Sequence, residues 1–166
     1  MKIKTLEEAF LHELSDMYNA EKQLTKALPK MAKAATDPKL VRAFESHLKE
    51  TETHVELVEQ AAEACEFKLK REKCEAMEGL VEEGSEIIKN VEDGALKDAM
   101  LIAAAQKVEH YEIAGYGTLT ALAKKLGFAE AAKILHKVLE QEKAADEKLN
   151  ALAEQGVNDK AMRKAA

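Results

Sequence analysis

Apolar residues recur every three or four positions along most of the chain. That is the spacing of one helix face, not the alternation of a strand. The first seam reads Leu6, Phe10, Leu14, Met17, Glu21, Leu24, Leu28. It opens after Thr5, which stands three residues before Glu8 as in a capping box, and it predicts a helix over about 6–35 that Pro29 either kinks or ends early. Asp37-Pro38 has the form of an N-cap followed by proline at the first helical position. A second helix is expected over about 38–66, with the seam Leu40, Ala43, Phe44, His47, Glu50, His54, Leu57, Val58, Ala61. The connection is so short that these two helices should be antiparallel neighbours.

A polar stretch over 67–73 leads to a shorter helix over about 74–91, with Met77, Leu80, Val81, Ile87, Ile88 and Val91 apolar. The pattern breaks between Asn90 and Gly94, where Asp93 is placed to cap a third long helix over about 95–126. Gly127 should stop that helix, and a fourth is expected at once over about 128–154. Its seam reads Ala131, Leu135, Val138, Leu139, Glu142, Asp146, Leu149, Leu152. Gly156 should end it and leave a frayed tail to Ala166. Two tight hairpins joined by a segment long enough to cross the bundle predict an all-α fold: a ferritin-like four-helix bundle whose long crossover carries an extra, shorter helix. The whole chain, 1–166, fits one such domain.

Composition agrees with a helical bundle: Ala, Glu, Lys and Leu dominate and only 4% of the 166 residues are aromatic. The formal net charge of −6 argues against nucleic acid as a partner. The one basic run, 68–73, contains Glu72 and reads as a solvated linker. Cys65 and Cys74 show neither CxxC nor zinc spacing, which excludes a structural zinc or rubredoxin-type iron site and suggests reduced thiols in a cytoplasmic protein. The first residues lack the apolar core of a signal peptide, and no apolar run approaches membrane-spanning length.

The candidate chemistry lies in the seams themselves. The third long helix reads Ile102, Ala105, Glu109, Glu112, Tyr116, Leu119, Ala123, so two glutamates occupy core-facing positions. A buried carboxylate is costly unless it is paired or bound to a metal. Glu21 and Glu50 lie 29 residues apart across the first turn, and Glu112 and Glu142 lie 30 apart across the second. At about 1.5 Å rise per residue the members of each pair agree in depth to within about 3 Å. All four long helices thus place an inward carboxylate near mid-bundle. Such a layer would repel itself unless cations lay between its members, and oxygen and imidazole donors suit iron or manganese.

The segments LSDMYNAEKQL at 14–24, HLKET at 47–51, IAAAQKVEHYEI at 102–113 and EKAAD at 142–146 resemble the YciE/YciF stress-protein family of bacteria, within the ferritin-like superfamily. The likeness is to its YciF-like members and covers nearly the whole chain. It implies a five-helix domain, a homodimer and induction under osmotic or other stress. The superfamily pattern is a Glu on helix one and Glu-x-x-His on helix two, repeated in the second pair, and rubrerythrins add a Glu on helix three. On this pattern Glu21, Glu50, Glu109, Glu112 and Glu142 are the metal ligands. Thr53 and Ala145 stand where the pattern has histidine, and His54 and Asp146, one residue further on and still on the same face, are the substitutes. The resemblance therefore implies two iron ions, or manganese in their place, acting on oxygen, peroxide or ferrous iron, with a separate electron donor.

Plainer readings apply to the remaining candidates. Glu112 can bind metal or accept a hydrogen bond from a ligand. His47 reads as a core histidine or a neighbour that steadies a ligand, and His110 as a hydrogen-bonding partner or surface residue. His12 and His136 read as structural or exposed, Tyr18 and Tyr116 as packing, and Met17, Met31 and Met100 as core filler. The alternative for the whole chain is a non-catalytic dimeric stress or scaffold bundle without a functional metal site, in which the polar layer confers specificity of packing.

Overall fold

The computed structural model describes residues 2–163. Helix α1 spans Leu6–Ala34. Its capping box is formed: Thr5 Oγ1 accepts from the Glu8 amide at 3.1 Å, and Glu8 Oε2 accepts from the Thr5 amide at 3.2 Å. The helix runs through Pro29 without a break. Pro29 is exposed, so water can satisfy the carbonyl whose hydrogen bond it removes. Leu6, taken as the start of the seam, is 42% exposed, because the apolar stripe begins one turn later at Phe10.

Helix α2 spans Pro38–Ala64, and Asp37 caps it by accepting from the amides of Lys39 and Leu40. Behind this turn lies a carboxylate from a distant part of the chain. Asp98 accepts from the Thr36 amide and hydroxyl, both at 2.7 Å, and from the Asp37 amide at 2.9 Å. Helix α2 ends two residues earlier than expected. Glu66 turns into the left-handed region at φ 57°, and the Phe67 amide reaches back to the Ala62 carbonyl at 2.9 Å, which closes the helix as a Schellman motif.

The segment 67–73 is more than a solvated linker. The Phe67 ring packs against Phe10 and Phe128, with centroids 6.2 and 5.6 Å away. The backbone is pinned to α1, as Ser15 Oγ accepts from the Lys70 amide at 3.0 Å and Asn19 Oδ1 from the Cys74 amide at 2.9 Å. Helix α3, Glu75–Asn90, packs across α1 and α4. Helix α4 spans Ala95–Leu126. The residue at its N-cap is Gly94, at φ 114°, not Asp93. The Asp93 carboxylate instead accepts from Lys97 Nζ. Gly127, at φ 82°, turns the chain into α5, Ala129–Leu152.

The chain beyond Gly156 is not frayed as expected. Gly156 breaks the helical path inside a wide turn, Ala153–Val157, and a short helix α6, Asn158–Arg163, follows. Val157 is buried, and Lys160 Nζ donates to Asp37 Oδ2 at 2.8 Å, which ties this end to the α1–α2 turn. The last three residues of the expected tail, 164–166, lie outside the described residues.

In the bundle α1 packs on α2 and α4, and α5 packs on α2 and α4. The contacts of Asp98 with the α1–α2 turn set α4 running down beside α1. All neighbouring long helices are therefore antiparallel, and the chain from Cys65 to Gly94 climbs the outside of the α1–α4 face. This is the ferritin-like connectivity, all-α among the described residues. Gly115 permits the close approach of α4 to α1, since a Cβ there would lie 2.6 Å from Met17 Sδ.

The core falls into two apolar clusters, bridged at the edge by Tyr111. One apolar cluster centres on Phe10, Leu14, Val58, Leu119, Leu135 and Val138. A second centres on Leu24, Leu28, Phe44, Leu101, Ile102 and Leu149. Met17 and Met31 are in these clusters, but Met100 is 40% exposed, on the outer side of α4. By their places along the helices, the buried polar residues of mid-bundle fall between the two clusters.

Candidate metal centre

Four glutamates and two histidines meet at mid-bundle. Glu21 comes from α1, His47 and His54 from α2, Glu109 and Glu112 from α4, and Glu142 from α5, and all six are buried. They are there because each replaces an apolar residue in its helix's inward seam. Their donor atoms form two groups. His47, Glu109, Glu112 and Glu142 make one, and Glu21, His54 and Glu142 make the other; within each, one donor atom per residue lies within 4.8 Å of the rest. Glu142 belongs to both.

His54 Nδ1 lies 2.9 Å from Glu142 Oε1 and 3.5 Å from Glu21 Oε1. His47 Nε2 lies 3.2 Å from Glu109 Oε1 and 3.7 Å from Glu142 Oε2. Tyr116, fully buried, donates its hydroxyl to Glu21 Oε1, and its ring meets His54 edge-on at 6.5 Å. These contacts leave much unsatisfied. Both oxygens of Glu112 and of Glu142, one each of Glu21 and Glu109, and both nitrogens of each histidine lack a hydrogen-bond partner of good geometry. Among the described residues no lysine or arginine pairs with any of the four glutamates, and their basic neighbours are the two histidines.

The electrostatics follow from burial. Desolvation pushes Glu21, Glu112 and Glu142 above the usual carboxylate range. Glu112 is raised well above it by burial, with repulsion from Glu142, Glu21 and Glu109 added. Burial pulls the histidines down, but their carboxylate neighbours outweigh it. His54 is lifted to about 10 by Glu142 and Glu21, and His47 rises well above its usual value through Glu109 and Glu50. Burial, then Glu21 and Glu112, hold the Tyr116 hydroxyl protonated.

The donor set fits a cation. Four carboxylates face two imidazoles and contain no thiolate, which matches iron or manganese better than copper(I) or tetrahedral zinc. Oxygens with no protein partner, in a water-poor layer, are atoms that a metal would satisfy.

Two residues that the spacing singled out stand apart from both groups. The Glu50 side chain is 43% exposed and meets only His47 Nδ1, at 3.6 Å, and this neighbour holds it below the usual carboxylate range. Asp146 accepts from Gln106 Nε2 at 3.3 Å and lies 3.2 Å from His110 Nε2, on the outer flank of α4 and α5. Sequence reasoning underrated His47, Thr51 and Tyr116. The signal was present in α2: the buried positions run Leu40, Phe44, His47, Thr51, His54, Val58, Ala61, a steady alternation of three and four that passes through Thr51 and not Glu50. Tyr18 is partly buried against the core, with its hydroxyl on Glu59 at 2.5 Å.

An antiparallel helical bundle whose seams converge on a buried Glu/His layer defines a ferritin-like protein with a candidate metal site. Residues 5–162 match the family described as "Domain of unknown function (DUF892)". Protein YciF of Escherichia coli strain K12 is 55% identical over 166 residues, covering 99% of this chain and 100% of that protein. The chain belongs to this family. The crystal structure of the E. coli stress protein YciF superposes with a TM-score of 0.92, covering 95% of this chain and all of that one. YcfI of Rhodopseudomonas palustris, 44% identical, gives 0.87 over 90% of this chain and 95% of its own. A Xanthomonas campestris protein, 24% identical, shares the fold at 0.78 over 98% of this chain and all of its own. Among the described residues no helix is long and apolar enough to cross a membrane.

Proposed function

We propose that the mid-bundle layer holds two ions of iron, or of manganese, and that the loaded protein handles dioxygen, peroxide or ferrous iron in a bacterial stress response, as the likeness to the stress protein YciF suggests. The observation that carries this is the pair of donor groups sharing Glu142, with most of their oxygens unsatisfied by the protein. His47, Glu109 and Glu112 would hold one ion, Glu21 and His54 the other, and Glu142 both. The ions would supply Lewis acidity and electrons to a bound oxygen species.

The chain supplies the setting. Tyr116 donates to Oε1 of Glu21, and Oε2 is buried without a hydrogen-bond partner. The apolar clusters above and below exclude bulk water and strengthen every charge interaction between them. Both cysteines are buried and free. A separate electron donor and a homodimer complete the proposal, both taken from the family resemblance.

The test is elemental analysis of untagged protein, followed by anaerobic ferrous-ion uptake. The expected content is about two ions per chain, lost at both positions in Glu142→Ala and at one in Glu109→Ala. Protein that is metal-free and takes up neither ferrous nor manganous ion would overturn the reading in favour of a scaffold bundle with a structural polar layer.

A further inference from the structure

A cleft of about 400 Å³ opens between α2 and α5 and reaches inward to His47 and Glu109. At these two residues the buried layer meets solvent. His47 is 8% exposed and Glu109 2%, whereas Glu21, His54, Glu112 and Glu142 are all at 0%. The cleft therefore ends on donors of the group formed by His47, Glu109, Glu112 and Glu142. The roughly six waters around an aqueous divalent ion, at about 30 Å³ each, need less than half of its volume.

The lining changes sign with depth. Lys137, Glu140 and Lys148 are exposed at the rim, and Glu140 is engaged by Lys143 at 2.8 Å. Charges in open solvent are screened over about 8 Å at physiological salt. Further in come the half-buried Glu50 and then the buried His47 and Glu109. His47 spans the step between the two carboxylates: Nδ1 lies 3.6 Å from Glu50 Oε2, and Nε2 lies 3.2 Å from Glu109 Oε1. Oε1 of Gln141 and Oε2 of Glu109 are buried beside this path without a hydrogen-bond partner. The remaining inner wall, Phe44, Ala105 and Leu149, is apolar and offers an ion nothing to bind. Carboxylates at the inner end of a cleft with low-dielectric walls focus the field and draw cations inward.

We propose that this cleft is the port through which divalent cations enter and leave the layer, with Glu50 as its outer carboxylate. An arriving ion exchanges some of its water for Glu50, then for Gln141 and Glu109, and so reaches the layer past His47. Glu50 thereby has a part in metal handling although it stands outside both donor groups. The inference rests on the metal reading proposed above and adds to it the route and the residues that line it.

The experiment is anaerobic stopped-flow absorbance of the full-length, metal-free chain with cobaltous ion, a coloured stand-in for ferrous ion. Release into excess chelator is followed in the same way, and bound metal per chain is counted after dialysis. Ala144→Phe, at an exposed position on the α5 side of the cleft, should slow uptake and release together by at least about tenfold, since the ion must then wait for the side chain to move aside. The final metal content should equal that of wild type, because a barrier on a route alters rates and not the equilibrium. Ser46→Phe, exposed on the α2 side, serves the same purpose should the first variant fail to fold. Glu50→Gln should slow uptake by about tenfold at low salt, remove most of the salt dependence of the wild-type rate, and reach the wild-type content. Wild-type rates in both filling variants overturn the port. A lower final content in Glu50→Gln makes Glu50 a ligand of the resident ion and overturns its role on the route. A wild-type chain that binds no cobaltous, ferrous or manganous ion at equilibrium removes the metal reading, and the port with it.

Discussion

Glu112 is the carboxylate with the least protein support. Neither oxygen has a hydrogen-bond partner of good geometry, and burial together with repulsion from Glu142, Glu21 and Glu109 disfavours its charge. Its replacement should therefore act in opposite directions on the two forms of the protein. Without metal, Glu112→Gln should raise stability by about 1 kcal/mol or more at neutral pH, since the wild type must either bury a charge or take up a proton on folding and a neutral amide of the same shape does neither. With metal, the same variant should melt lower than the loaded wild type and carry less metal, since amides are poorer ligands than carboxylates. Thermal melts of both forms, with metal content measured beside them, check this. A variant less stable than wild type in both forms would show that Glu112 is held by the fold and not by an ion. At this scale the sequence was partly legible. Counting residues from the turns put Glu21, Glu112 and Glu142 at one depth, and the structure brings them together. The same count put Glu50 there too, but depth along an axis says nothing of the angle around it. Three residues from His47 and four from His54, Glu50 falls just off the stripe that Thr51 occupies.

At the scale of elements, periodicity made every long helix legible, and the turn residues placed their ends within two residues or so. What it could not show is capping by a group from elsewhere in the chain. Asp98 sits in the first turn of α4, where a carboxylate reads simply as a favourable partner of the helix dipole. In the folded chain it is buried and holds the α1–α2 turn by three hydrogen bonds. Asp98→Ala should cost about 1 to 3 kcal/mol, because the Thr36 and Asp37 amides and the Thr36 hydroxyl would lose a charged acceptor in a part-buried turn; urea unfolding measures it. A loss under about 0.5 kcal/mol, the range of an ordinary surface change, would mean water replaces the carboxylate. The end of α2 offers a test of the opposite sign. Glu66 holds the left-handed position that closes the helix, a conformation that costs a residue with a side chain about 1 kcal/mol. Glu66→Gly should recover a part of that, seen as a higher urea midpoint with unchanged slope. Propensity alone points the other way, so a lower midpoint would refute the assignment of this turn.

At the scale of the molecule, the layer makes stability depend on pH. His54 titrates near 10 in the folded chain and near 6.5 when unfolded. The folded state therefore binds the extra proton, its contribution is complete below 6.5, and it is lost as pH rises toward 10. The raised carboxylates, Glu21, Glu112 and Glu142, act in the same direction from about 4.5 upward. Metal-free protein should melt at progressively lower temperature as pH is raised from 6 to 9, and iron or manganese should flatten that slope by taking the place of the protons. A melting temperature that climbs over this range without metal would contradict the protonation pattern drawn here. The pattern of net charge and composition could not reveal this behaviour, since it arises from which few of the 31 acidic residues are buried.

The division of the core into two apolar clusters has a further consequence. Cooperativity in a small protein depends on each part of the interior losing its packing when any other part does. A buried polar layer with many unsatisfied atoms weakens that linkage across the middle of all four long helices. In the metal-free chain, amide exchange should resolve two opening reactions of different free energy, one for the half around Phe10 and Leu135 and one for the half around Leu28 and Leu101. A cation shared through Glu142 would join them into a single unit. The bundle would then be one foldon or two according to its ligand, and its exposure to proteases would change with it.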